Sequence, residues 1–219
     1  MHPTGDDVTS REVTSSPVSR RRRWLIVVLV IVLLVVLVRG IFFETFTVPT
    51  GSMEPGLRPG DQIVVWKIGE DHVHRGEVIV FNATDAFGLA AGDSSNAVVR
   101  AIRSAGDAIG IRTDQTDYVK RVIGLPGDKI VVGHDGVLTV NGHAVKEPYL
   151  PAGMKASKVP LRVVVQPGCL FVMGDNRPAS DDSRNHLGSP GGGCVPIGDV
   201  IGKVVLRYWP IGSWERLRS

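Results

Sequence analysis

Cysteine is nearly absent: the 219 residues contain two, Cys169 and Cys194. That count excludes a small scaffold held by several disulfides and a zinc module built from cysteine ligands. Histidine does not fill the gap. His2, His72, His74, His134, His143 and His186 stand in no recognisable catalytic or metal spacing, and His72-x-His74 alone reads as a loop pair, so no metal site is expected. No internal repeat is present, which excludes solenoids and propellers. A surplus of charge is also missing from most of the chain. The formal net charge is +3, but from residue 40 onward 19 Lys and Arg balance 19 Asp and Glu. The basic excess is local to Arg20–Arg23 and Arg39, beside an apolar run, so nucleic acid is not expected as a partner.

The one long apolar segment, Trp24 to Val38, contains no polar residue. Extended to Phe43 it counts 20 residues, which at about 1.5 Å per residue matches a hydrocarbon core of roughly 30 Å. Arg39 near its end can snorkel to the interface. A cleaved leader is the competing reading, but no small-x-small site follows; Arg39-Gly-Ile-Phe-Phe-Glu-Thr-Phe46 is bulky and aromatic. The expectation is a single transmembrane anchor over 24–43, oriented by Arg20–Arg23 with its N-terminus in the cytoplasm. Residues 1–23, rich in Ser, Thr, Pro and charge, form a disordered cytoplasmic tail in this division. Residues 44–219 form the domain outside.

That domain reads as mainly β. Gln62–Trp66, Glu77–Phe81, Val119–Ile123, Lys129–Val132, Val137–Val140, Leu161–Val165, Leu170–Met173 and Val200–Tyr208 are short apolar runs bounded by turn residues. Asn141-Gly142 predicts a tight hairpin. The expected architecture is a folded-over barrel or sandwich. Val98, Val99, Ile102, Ala105 and Ile109 fall at helical spacing, so 95–109 predicts a small inserted helix, packed on the sheet or resting on a membrane surface. The role of the wider insert, 86–114, is left open.

Chemistry concentrates in Pro49-Thr-Gly-Ser-Met-Glu-Pro55, a few residues past the apolar run. Glycine and proline spoil regular structure, so this is a shaped loop presenting the hydroxyl of Ser52. A serine needs a base to become a useful nucleophile. Three further segments follow in order: Arg75-Gly-Glu-Val-Ile-Val-Phe81, Tyr118-Val-Lys-Arg-Val-Ile-Gly-Leu-Pro-Gly-Asp128, and Gly174-Asp-Asn-Arg-Pro-Ala-Ser-Asp-Asp-Ser-Arg184. Together with the preceding anchor they resemble the ordered boxes of bacterial type I signal peptidases, from about residue 24 to 210.

The resemblance implies a membrane-anchored serine endopeptidase that removes signal peptides from exported preproteins. It implies Ser52 as nucleophile and Lys120 as base, Ser180 as the residue that orients the lysine, and the Thr50 hydroxyl with the Ser52 amide as oxyanion donors. Asp182 and Arg184 would brace the last box as an ion pair. To act near neutrality Lys120 must lose about two pH units from its ordinary pKa near 10.4, which burial among apolar neighbours can supply. The box departs from the more polar family pattern at Pro178. Specificity for small residues at the first and third positions before the cut would come from Phe46, Val48, Pro49, Met53, Leu57, Tyr118 and Val119. Each of these could equally be core. The cysteines flank the last box, and an oxidising exterior allows either a disulfide or two buried thiols. Serine, lysine and oxyanion donors complete acyl transfer with water, so no cofactor is expected. The expected partners are preproteins and the bilayer, for a monomer. Three readings compete: a Ser-His-Asp hydrolase on a loop histidine, a self-cleaving Ser-Lys repressor-type protease, and a membrane-tethered β-domain without activity. The anchor and the lack of a DNA-binding module argue against the second.

Overall fold

The computed structural model describes residues 17–67, 73–87, 111–112, 117–189 and 191–210. The predicted helix at 95–109, with most of the 86–114 insert, lies outside them, as do residues 1–16 of the predicted tail. The chain divides into two units, Met1–Arg39 and Gly40–Ser219.

The first unit carries most of a 26-residue helix, α1 (Pro17–Phe42). Proline suits a helix start, because the first N–H groups have no internal partner there. The helix takes in Arg20–Arg23, which the sequence division places in the tail. Trp24–Val36 present an unbroken row of exposed apolar side chains. Among the described residues no helix is long and apolar enough to cross a membrane.

The second unit is mainly β. One sheet has eight strands: β1 (Phe43–Thr47), β2 (Gln62–Trp66), β3 (Val78–Asn82), β4 (Ile111–Arg112), β5 (Asp117–Gly124), β10 (Cys169–Met173), β11 (Val195–Pro196) and β12 (Val200–Trp209). Their spatial order is β11-β10-β5-β3-β12-β2-β1-β4. All its pairs are antiparallel except β1 with β4. A second sheet, in the order β8-β7-β6-β9, comprises β6 (Lys129–Val132), β7 (Leu138–Val140), β8 (His143–Ala144) and β9 (Leu161–Val164). The large sheet ends at β11 and β4, so among the described residues it is an open sheet and not the barrel the strand pattern allowed.

Sequence explains which strands lie inside. Val78-Ile-Val-Phe81 of β3 and Leu170-Phe-Val-Met173 of β10 are continuous apolar runs, as befits strands covered on both faces. Val78 and Val80 pack with Phe46, Ile63 and Val65, whereas Ile79 and Phe81 pack on the opposite face with Val122, Leu170 and Val172. A third cluster joins Ile123, Phe171 and Met173 to Ile130, Val132, Leu138 and Val140 of the small sheet. β2 alternates instead, burying Ile63 and Val65. The Asn141-Gly142 turn forms as predicted, with both φ angles positive at 54° and 82°, as a type I′ turn requires.

Candidate active site

Ser52 lies in a 310 turn, Gly51–Met53, that follows β1 and the extended Thr50. Backbone hydrogen bonds fasten the loop at its base: Val48 donates to the Asp61 carbonyl at 2.9 Å and Gly60 to the Val48 carbonyl at 2.9 Å. The far wall comes from the last box. The Asn176 backbone amide donates to the Ser52 carbonyl at 3.0 Å, and the Asn176 side-chain amide donates to the Gly51 carbonyl at 3.0 Å. This approach needs glycine at 174, since a Cβ there would sit 2.2 Å from Ser180 Oγ and 2.5 Å from the Ser52 carbonyl oxygen.

Lys120 projects from β5, in register with Ile79 of β3. Its Nζ is 2.7 Å from Ser52 Oγ, and the two residues are only 3% and 6% exposed. Thr50 Oγ1 donates to the same Ser52 Oγ at 3.2 Å. The amine also lies over the Tyr118 ring, 5.0 Å from its centroid. Burial drives the Lys120 pKa down from 10.5 to about 8; Asp182, Asp181 and Asp175 pull it back up, and Arg184 assists the descent. Lys120 forms no ion pair among the described residues, so desolvation wins. At pH 7 about one lysine in ten is neutral and able to accept a proton.

A cleft of about 380 Å³ opens beside these atoms, lined by Val48, Pro49, Thr50, Ser52, Asp117, Tyr118, Val119, Lys120, Ala179 and Asp181. Four of the seven predicted pocket residues are there: Val48, Pro49, Tyr118 and Val119. The other three do not line it, although Val48 and Val119 of the lining share their core cluster. Phe46, Met53 and Leu57 are 5%, 1% and 1% exposed and pack with Ile63, Val65 and Val204. β1 alternates, and its phase turns Phe46 inward.

The orienting bond expected of Ser180 is not made. Its hydroxyl is buried and has no hydrogen-bond partner among the described residues. The side chain closes against Gly174, after the 310 turn Arg177–Ala179 that contains Pro178. It lies near Asp182 and helps to lower that carboxyl's pKa, yet falls short of a formed hydrogen bond. Asp182 and Arg184 make the bidentate pair, with Nε to Oδ1 and Nη2 to Oδ2 both 2.8 Å, and Asp182 also accepts from the Gly174 amide at 2.9 Å. Burial alone would raise the Asp182 pKa. Arg184 and the Gly174 amide outweigh it and hold the carboxyl below its usual value.

Several supports are absent from the sequence reading. Arg121, next to Lys120, bridges Asp175 through bonds of 2.8 and 2.7 Å, donates to the Gly76 carbonyl at 2.6 Å and covers the Tyr149 ring at 3.8 Å. Arg177 pairs with Glu147 and donates to the Gly174 carbonyl at 3.0 Å. Both arginines, with Asn176, sit inside the quoted boxes, which was the only available signal. Cys169 and Cys194 are joined as a disulfide with a Cα–Cα distance of 5.4 Å, closing the segment that carries Asp175, Asn176, Arg177, Ser180, Asp182 and Arg184.

No described histidine bonds to Ser52. His186 Nε2 is 2.9 Å from Asp181 Oδ1, and His74 pairs with Glu77. Among the described residues no group of three metal-ligating side chains is found. The geometry offers a serine hydroxyl in hydrogen-bond contact with a buried amine at the edge of an apolar cleft, the parts of a serine hydrolase.

Comparison with known proteins makes the class specific. The family model "Signal peptidase, peptidase S26" matches residues 21–209. Signal peptidase I of Mycobacterium tuberculosis H37Rv is 39% identical over 198 residues, covering 80% of this chain and 67% of that one. The probable signal peptidase I of Mycobacterium leprae is 37% identical, covering 80% and 71%. Signal peptidase I of Bacillus caldolyticus is 35% identical, covering 79% and 83%. The chain belongs to the signal peptidase, peptidase S26 family. It is a serine endopeptidase.

Proposed function

We propose that this protein removes signal peptides from exported preproteins by a Ser52–Lys120 dyad, cutting after Ala-x-Ala-like small residues. The observation that carries the reading is the 2.7 Å contact between Ser52 Oγ and the buried Lys120 Nζ. Neutral Lys120 takes the Ser52 proton as Oγ attacks the carbonyl carbon before the cut. The negative charge on the carbonyl oxygen is met by the Thr50 hydroxyl and by the Ser52 amide, which lies in the first turn of a 310 helix where N–H groups lack internal partners. The lysine then returns its proton to the leaving amine, and the mature chain departs. Water, deprotonated by the same amine, hydrolyses the acyl-enzyme and frees the signal peptide's carboxylate and Ser52.

Val48, Pro49, Tyr118 and Val119 give the cleft an apolar wall suited to methyl-sized side chains. The substrate lies extended, with backbone bonds for affinity and alternate side chains for selection. Residues 24–43 anchor the chain in the bilayer, supported by the apolar run and its exposed row on α1. Arg20–Arg23 keep the N-terminus cytoplasmic, so residues 44–219 work outside, as a monomer. Anchoring enzyme and substrate in one membrane raises their effective concentration.

The test is processing of a model Ala-x-Ala preprotein in detergent or liposomes by wild type, Ser52→Ala and Lys120→Ala. Wild type is expected to release the signal peptide and both variants to lose cleavage. Undiminished cleavage by Lys120→Ala would sink the dyad, and persistence in Ser52→Ala would sink the nucleophile.

A further inference from the structure

The catalytic cleft carries a charge that acyl transfer does not use. Asp181 lines its wall, one residue past Ser180, with its side chain 47% exposed. The carboxylate is held firmly on one side. His186 Nε2 lies 2.9 Å and Asn185 Nδ2 3.1 Å from it, and both contacts fall on Oδ1. Oδ2 accepts no hydrogen bond among the described residues. The His186 ring is fixed in turn, stacked on Phe87 with centroids 4.1 Å apart and planes 7° apart. Phe87 meets Tyr118, another cleft residue, edge-on at 6.2 Å. A carboxylate held this way has less rotamer freedom left to lose when it engages a ligand.

Its charge reaches the cleft interior. After burial, Asp181 is the second cause of the raised pKa of Tyr118. Lys120 is the only cationic side chain among the described lining residues, and it must be neutral to act as base. In that working state Asp117 and Asp181 are the lining's remaining carboxyl groups. An extended substrate sends alternate side chains to opposite sides. If two small residues meet the apolar wall of Val48, Pro49, Tyr118 and Val119, the residues between and beyond them are free to reach the polar rim.

We propose that Asp181 is a specificity-determining residue whose carboxylate pairs with a Lys or Arg side chain of the substrate next to the cut and disfavours Asp or Glu there. The inference rests on the reading of this cleft as the preprotein site. A half-exposed pair discriminates modestly, so the Lys-to-Glu ratio in kcat/KM is expected to be about fivefold.

The test uses the full chain in detergent and Ala-x-Ala substrates with Lys, Gln or Glu placed singly at x and at the first two positions after the cut. Wild type is expected to prefer Lys over Glu at one or more positions, with the preference shrinking as salt is added. Asp181→Asn should bring the ratio toward one and Asp181→Lys should invert it. Because the readout is a ratio within each variant, a general loss of activity does not mimic the effect. If wild type cleaves the series without discrimination, or Asp181→Asn keeps the wild-type ratio, the inference falls while the peptidase reading stands. If wild type cleaves none of the substrates, the peptidase reading falls and takes the inference with it.

Discussion

Replacing Lys120 by Met should stabilise the protein while abolishing its chemistry, and the size of the gain should depend on pH. The lysine is 3% exposed, and burial lowers its pKa from 10.5 to about 8. Between those values the folded state binds fewer protons than the unfolded chain, so stability rises with pH across that window. Below pH 8 the penalty is present in full, about 3 kcal/mol at pH 7, and it falls to about 2 kcal/mol at pH 9. Methionine fills a similar volume and does not titrate. It forfeits the bond to Ser52, worth about 1 kcal/mol, so the net gain at pH 7 is about 2 kcal/mol. Urea unfolding of wild type and Lys120→Met in matched detergent, at pH 7 and pH 9, measures this directly. The variant's advantage should narrow by about 1 kcal/mol between the two pH values, with other titrations cancelling in the difference. In the same wild-type preparation kcat/KM should rise with pH through an apparent pKa near 8. An advantage that does not change with pH, or a wild type more stable than the variant at pH 7, would refute the argument that desolvation sets this lysine's pKa.

Three further outcomes follow from individual contacts. Thr50→Val removes the hydroxyl beside Ser52 Oγ and should lower kcat by about a hundredfold with little change in KM; an unchanged kcat would reduce Thr50 to a turn residue. Asp175→Ala removes the carboxylate partner of the Arg121 guanidinium, whose side chain is 3% exposed, and should cost about 3–5 kcal/mol in denaturant unfolding, against a null result if the pair contributes nothing to the fold. Cys169→Ala with Cys194→Ala opens a link between residues 25 apart and should cost about 3 kcal/mol on the loop-closure model, read as a lower midpoint in denaturant unfolding; equal midpoints would contradict it.

Legibility in the sequence followed the kind of information each residue carries. Strands such as Gln62–Trp66 and Lys129–Val132 were readable as short apolar runs bounded by turn residues, and Asn141-Gly142 because few residues tolerate its two positive φ angles. Ser52 and Lys120 were readable from their boxes and meet at 2.7 Å, although 68 residues separate them. Direction was not readable. Phe46 and Met53 stand within six residues of Ser52, as Val48 and Pro49 do, yet the first two belong to the core alone, Pro49 lines the cleft, and Val48 does both. That choice is made by strand phase and by the turn at Gly51–Met53, which only the packed partner strands determine. The same limit hid Asn176, a loop side chain whose value lies in reaching the Gly51 carbonyl 125 residues away. It also explains Ser180, whose motif position implied a bond to the lysine while its rotamer places the hydroxyl against Gly174. A motif states which groups a site needs. The side-chain bond from Asn176 to Gly51, its backbone bond to Ser52 and the close approach that Gly174 permits decide whether the Ser52 loop is held where the amine of β5 can reach it.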